Sequence, residues 1–254
     1  MGQVALYQGK IVAIPLIEKN LQVFSEDDLR RASKRREFFC PQEGCENNTL
    51  IYKHGEERKP YFSHLGDYEH VQGSTVEHDL ISSYVCMLVN QTGQFDFSKL
   101  GHKTPSGRIF DGYFERDGLK VGIEIQKSSQ KPAEWVSRLR KGTSDGIYTL
   151  TIVVPGGYFK NNSPKYRPKL FERFLHDIVG TVYYCNQEEL FALRYIMQPT
   201  LPFDGRTDEG RKIVGIRKHT LCEIPKATDA IKIQAEEVSL PKSKEIFKIA
   251  KFSD

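Results

Sequence analysis

The chain has 254 residues, 39% hydrophobic and 28% charged, with a formal net charge of +4. That composition is ordinary for a soluble globular protein, whose core can form without disulfide staples. No run of about 18 apolar residues predicts a transmembrane helix, so no membrane association is expected. Met1-Gly2-Gln3-Val4-Ala5-Leu6-Tyr7 has neither the basic start nor the apolar stretch of a secretory signal. Of five cysteines only Cys40 and Cys45 are close neighbours, which is no disulfide framework; a cytoplasmic protein is the expectation.

In chain order, residues 3–17 alternate in part and turn at Gln8-Gly9-Lys10, which predicts a hairpin. Ser25-Glu26-Asp27-Asp28 supplies an N-cap and early acids for a helix running to about Arg35. Residues 38–70 are rich in Cys, His, Gly and Pro with little apolar periodicity, and are expected to need something other than a hydrophobic core. Ser74-Thr75-Val76-Glu77 opens a second helix ending near Asn90, with Leu80, Ile81, Tyr84, Val85 and Leu88 at helical spacing. Strands follow at about 94–97, 108–115 and 119–126, the last two joined at Arg116-Asp117-Gly118.

A helix at about 132–144 then leads to an apolar strand from Ile147 to Val154. Pro164 to Val179 reads as helix and Thr181 to Cys185 as strand; Leu190 to Ile196 fits either. Short β-like pieces follow at Ile213 to Ile216 and Ala230 to Ile233. The expected fold is α/β, a mixed sheet flanked by helices. The divisions are 1–73 (hairpin, helix and Cys/His module), 74–186 (core) and 187–254 (an extension of unassigned role).

The sharpest pattern is Phe110-Asp111-Gly112, a hairpin turn, then Ile123-Glu124-Ile125-Gln126. Side chains alternate on a strand, so Glu124 and Gln126 share one face, and Asp111 on the paired strand can converge on them. Two carboxylates and a third polar group suit Mg²⁺ or Mn²⁺. Such an ion polarises a phosphodiester and orients water. An exposed amphipathic hairpin would account for either carboxylate alone, but a carboxylate pair in a covered sheet is costly unless paired or metal-bound.

Three basic groups surround this candidate: Arg30, Arg31, Lys34, Arg35 and Arg36; Arg138, Arg140 and Lys141; and Lys160, Lys165, Arg167 and Lys169. Any one reads as a solvated face; together they suit a phosphate backbone.

Cys40-x4-Cys45 and His64-x5-His70 lie near the spacing of structural Zn²⁺ sites. Cys40, Cys45 and His64 are the leading ligands, with His70 fourth and His54 its alternative. Two free cysteines and surface histidines are the plainer account. Trp135 reads as core and Cys86 as a buried small hydrophobe. His78, beside Glu77, could reach the carboxylates, although a lone histidine at a helix start is usually structural.

Asp in one strand, Glu-x-Gln in the next, then Ser and an Arg-bearing helix resemble the PD-(D/E)xK nuclease core. Glu124-Ile125-Gln126-Lys127-Ser128-Ser129, with Cys40-Pro41 and Tyr61-Phe62-Ser63-His64 upstream, resembles the CoiA-like competence protein family across roughly residues 38–155. The resemblance implies a restriction-endonuclease-like fold with an N-terminal zinc-binding-like module. It implies Asp111 and Glu124 as Mg²⁺/Mn²⁺ ligands, Gln126 where the superfamily usually has Lys, and Glu77 as a further acidic site residue. Ser74-x-x-Glu77 is equally a capping box. Arg138 would approach phosphate or brace the site, and Lys141 and Lys127 join it as candidate substrate-binding residues, Lys127 facing away from Gln126 on an unbroken strand.

Two departures stand out. Phe110 replaces the superfamily's Pro, and Gln126 replaces an ammonium with a neutral amide. The expected activity is endonucleolytic hydrolysis of DNA, with RNA the alternative substrate, in DNA processing, recombination or defence against foreign DNA. The rivals are a non-catalytic DNA-binding protein, and a nuclease subunit that needs a protein partner or a second copy.

Overall fold

The computed structural model describes residues 3–18, 22–42, 44–55, 59–66, 76–91, 93–127, 130–154, 170–185, 189–197, 211–220, 232–240 and 244–252. They form two sheets flanked by helices, a mixed α/β fold.

The smaller sheet begins with the hairpin of β1 (Val4–Tyr7) and β2 (Lys10–Ala13). Gln8 and Gly9 take φ of 51° and 73°, the left-handed pair that a two-residue hairpin turn requires. The hairpin stops at Ala13 instead of continuing to residue 17, because Ile14–Glu18 turns into the short helix α1 and buries Ile14 and Leu16. Next, α2 (Glu26–Lys34) starts from a true capping box, Ser25 accepting from the Asp28 backbone and Asp28 from the Ser25 backbone. Three strands complete the sheet: β3 (Phe38–Phe39), β4 (Thr49–Lys53) and β5 (Tyr61–His64).

Contrary to the expectation for residues 38–70, this segment does have a core. Phe38, Leu50, Tyr52 and Phe62 are buried against Ala5, Val12, Leu29 and Ala32. The apolar residues arrive singly from short strands, so no periodicity announces them, and their partners come from the hairpin and α2.

The larger sheet holds the candidate carboxylates. Packed on one face is α3 (Val76–Gln91). The strands β6 (Asp96–Lys103), β7 (Ile109–Arg116) and β8 (Leu119–Lys127) run antiparallel in turn. Thus the strand expected at 94–97 begins later and is longer. Asp117 and Gly118, at φ 53° and 79°, make the β7–β8 turn. Then α4 (Pro132–Ser144) leads to β9 (Ile147–Val154), parallel to β8 along its whole length.

Of the helix expected from Pro164, the part described is α5 (Leu170–Val179); 161–169 lie outside the described residues. It is followed by β10 (Val182–Cys185) and β11 (Glu189–Met197), so Leu190 to Ile196 is strand. Then come β12 (Arg211–Thr220), β13 (Ile233–Ser239) and β14 (Ile246–Phe252).

The strand order is β12-β11-β10-β9-β8-β7-β6. β9 shares its second edge between two neighbours: β10 pairs at Ile152 and Val153, and β14 at Thr149. Phe247 and Ile249 are buried with Trp135, Phe171 and Tyr184, so the described C-terminal strands join the core. Val121, Ile123 and Ile125 pack with Ile81, Tyr84 and Val85 of α3, each full burial contributing about 1.5–3 kcal/mol. The alternate residues Glu124 and Gln126 face α4. Trp135 is core, as expected, with its indole N–H donating to Thr151 Oγ1 at 3.2 Å. Among the described residues no helix is long and apolar enough to cross a membrane.

Candidate functional site

The β7–β8 ladder sets the position of the carboxylates. Its register runs from the turn to Gly112 opposite Ile123. Beyond that pair β7 remains joined to β6 as far as Ile109, and β8 remains joined to β9 as far as Lys127. Asp111 and Glu124 are the first residues past the last β7–β8 pair. Here a side chain replaces the ladder: Asp111 Oδ2 accepts the Ile125 backbone N–H at 2.6 Å.

Asp111 is also held from α3, where His78 Nε2 lies 3.3 Å from its Oδ1. Close packing brings α3 this near. A Cβ on Gly112 would strike the Cys86 sulfur, so only glycine lets the helix approach. Cys86 is fully buried, and burial, reinforced by the Asp111 charge, pushes its thiol well above the usual range.

Glu124 is held by two guanidinium groups. Arg108 donates from NH2 to Oε2 at 3.2 Å, with the two side chains 2% and 4% exposed. Arg138, on α4, donates to Oε1, and its side chain is 50% exposed. The same Arg138 nitrogen lies 3.4 Å from Gln126 Oε1.

Arg108 is the residue that sequence reasoning missed. Its NH1 donates to the Arg138 carbonyl at 2.7 Å and to Thr149 Oγ1 at 3.0 Å, and its guanidinium carbon sits 3.9 Å from the Phe110 ring centre. Its Nε is buried, with no hydrogen-bond partner among the described residues. Burial lowers the Arg108 pKa, opposed by the neighbouring Glu124 charge. No local pattern marks it; the small residues packed around it make its room. A Cβ on Gly122 would run into the Phe110 ring, and one on Gly142 would come within 2.5 Å of Arg108 NH1.

Glu124, Gln126, Arg138 and Arg108 are thus joined by polar contacts, while Asp111, on the neighbouring strand, is tied to the Ile125 backbone and to His78. Lys141 is exposed on α4. Glu77 lies in the first turn of α3 and Lys127 ends β8, but their side chains, like the Ser74 cap, fall outside the described part. So do His70, Cys222 and the basic residues Lys160, Lys165, Arg167 and Lys169.

A second cluster lies in the small sheet. The ligand atoms of Cys40, Cys45 and His64 are all within 4.8 Å of one another and could hold a metal ion; among the described residues no other His, Cys, Asp or Glu trio does so. Cys45 Sγ is 3.3 Å from His64 Nε2. The β4–β5 register places His64 opposite Leu50, while Cys40 follows β3. Burial, with the Cys45 thiol beside it, pushes the Cys40 thiol up to about 12, so a bound cation is what would hold it as thiolate. His54, the alternative fourth ligand, is instead 3.1 Å from Glu26. That pairing engages its Nδ1 with a carboxylate of α2, and His54 is not one of the three clustered residues.

Compared with family models, with curated proteins and with solved structures, the chain finds no match.

Proposed function

We propose that the chain is a divalent-cation-dependent nuclease that hydrolyses DNA phosphodiester bonds in the cytoplasm. The observation that carries the proposal is that Asp111 and Glu124 each follow the last β7–β8 pair, with Glu124 held between Arg108 and Arg138. Support also comes from the resemblance to the PD-(D/E)xK core and to the CoiA-like family.

The residues fit a hard cation. Two carboxylates and the Gln126 amide are oxygen donors suited to Mg²⁺ or Mn²⁺. Glu124 already faces positive charge, so a cation would replace one positive group with another. When bound, the ion would polarise the phosphodiester and lower the pKa of a water.

The chain's own residues do the rest. The Ile125 N–H and His78 orient Asp111, and Arg108 fixes Glu124 from within. Gln126 positions water through a neutral hydrogen bond, in the place where the superfamily's lysine would contribute charge. The basic side chains of α4 meet the phosphates. A Zn²⁺ ion on Cys40, Cys45 and His64 would brace the N-terminal module as a structural site. The activity would serve DNA processing linked to uptake or recombination, or defence against foreign DNA.

A second reading is favoured by one specific observation. Both Glu124 oxygens are occupied by guanidinium and position 126 lacks an ammonium, which suits a DNA-binding protein without chemistry, or a subunit completed by a partner.

The deciding experiment incubates supercoiled, linear and single-stranded DNA, and RNA, with zinc-loaded protein in Mg²⁺, Mn²⁺ or EDTA. Asp111→Asn is the control, since its amide oxygen still accepts the Ile125 N–H. Metal-dependent cutting that Asp111→Asn abolishes supports the nuclease. Salt-sensitive DNA binding without cutting in any metal overturns it in favour of the second reading.

A further inference from the structure

The two arginines on Glu124 differ in a way that separates their roles. Arg108 is buried, stacked on Phe110, and tied to Thr149 and to the main chain of α4. It cannot leave without opening the core. Arg138 is half exposed, and its side-chain contacts at the site are to Glu124 and Gln126. Its backbone carbonyl, which receives Arg108, stays fixed whatever its side chain does.

The Arg138 nitrogen therefore marks a point of positive charge within reach of two oxygens, Glu124 Oε1 and Gln126 Oε1. Those are the donors that the nuclease reading assigns to the cation and its water. A guanidinium and a cation cannot share that point.

Resting on that reading, we propose that Arg138 is exchangeable. It occupies the cation's place on Glu124 until the ion arrives, and is then released to a substrate phosphate. Arg108 remains, so Glu124 is never left buried without a counter-charge. The released guanidinium has the planar fork that suits phosphate oxygens. Cation loading and substrate capture are coupled, because one event supplies the free group the other uses.

The test titrates Mn²⁺ into zinc-loaded full-length protein by calorimetry, for wild type, Arg138→Gln and Asp111→Asn, with thermal melts confirming that each is folded. Arg138→Gln is expected to bind Mn²⁺ about tenfold more tightly than wild type, the order of losing one hydrogen bond to a charged group. Wild type is also expected to bind a non-cleavable phosphorothioate duplex more tightly in Mn²⁺ than in EDTA, a gain absent from Arg138→Gln. Equal or weaker Mn²⁺ binding by Arg138→Gln, with binding still lost in Asp111→Asn, overturns the exchange but leaves the cation site standing. An undiminished Mn²⁺-linked gain in DNA affinity in Arg138→Gln also overturns it. Absence of any Asp111-dependent Mn²⁺ binding overturns the cation-site reading itself, and the exchange with it.

Discussion

Arg108 reaches Glu124 from inside the protein, 3.2 Å from NH2 to Oε2, with neither side chain more than 4% exposed. Removing one partner of such a pair leaves the other buried and uncompensated. Glu124→Ala is expected to cost on the order of 3 kcal/mol, and the joint replacement of Arg108 and Glu124 by leucine much less. Urea unfolding of the single and double variants checks this. A loss in the double variant equal to the sum of the two single losses would show that the pair is not coupled.

Gly122→Ala adds a single methyl and no charge, yet it is expected to silence the site. The new Cβ would meet the Phe110 ring, on which the Arg108 guanidinium lies. Overpacking of this kind costs about 1–3 kcal/mol and shifts the side chains it strikes. The expected result is a lower Tm together with loss of metal-dependent cleavage. Full activity at the wild-type Tm would mean that the ring has room to move.

Zinc removal is expected to be felt locally. Cys45→Ser and His64→Ala should lose metal stoichiometry and lower the Tm, because binding energy at a structural site is folding energy. The N-terminal module keeps its core of Phe38, Leu50, Tyr52 and Phe62 without the ion. Circular dichroism of chelated protein should therefore retain the β signal at room temperature. Wholesale unfolding by EDTA would contradict the contribution assigned to that core.

Asp145 supplies a pH test. It accepts the Ser106 hydroxyl at 2.6 Å, tying the β6–β7 turn to the end of α4. Burial works to raise its pKa, but hydrogen bonds from Ser106 and Thr104 outweigh it and leave the group below its ordinary 3.8. A depressed carboxylate pKa stabilises the fold above the unfolded value and loses that contribution as pH falls through the folded one. Melts taken from about pH 5 to pH 2 should fall less steeply for Asp145→Asn than for wild type. Parallel curves would remove Asp145 from the acid response.

The β7–β8 hairpin was plain in the sequence, because Arg116-Asp117-Gly118 allows few conformations and strand alternation fixes which residues share a face. The same alternation brought Glu124 and Gln126 together. Arg108 was not visible. It follows Thr104-Pro105-Ser106-Gly107, a polar turn, where an arginine ordinarily lies in solvent. Only the fold shows that the glycines at 122 and 142 make room for it and its ring. His78 reads in the sequence as a histidine at a helix start, since the glycine at 112 that lets α3 settle onto Asp111 has no local signature. The Cys–His cluster was legible from spacing. The core beneath it was not, since Phe38, Leu50 and Phe62 meet only after three short strands and a distant hairpin assemble.

The shared edge of β9 carries a consequence for biogenesis. Thr149 pairs with Ile249, a hundred residues further along the chain. Contacts so distant in sequence form late, after a large loop has closed. As the chain emerges from the ribosome, the most apolar strand of the sheet must wait with part of its backbone unpaired. A fragment ending before residue 246 would keep that edge open, and an unpaired strand edge invites pairing with another chain. Such truncations should be recovered as aggregates even though both arginines and both carboxylates of the site are present.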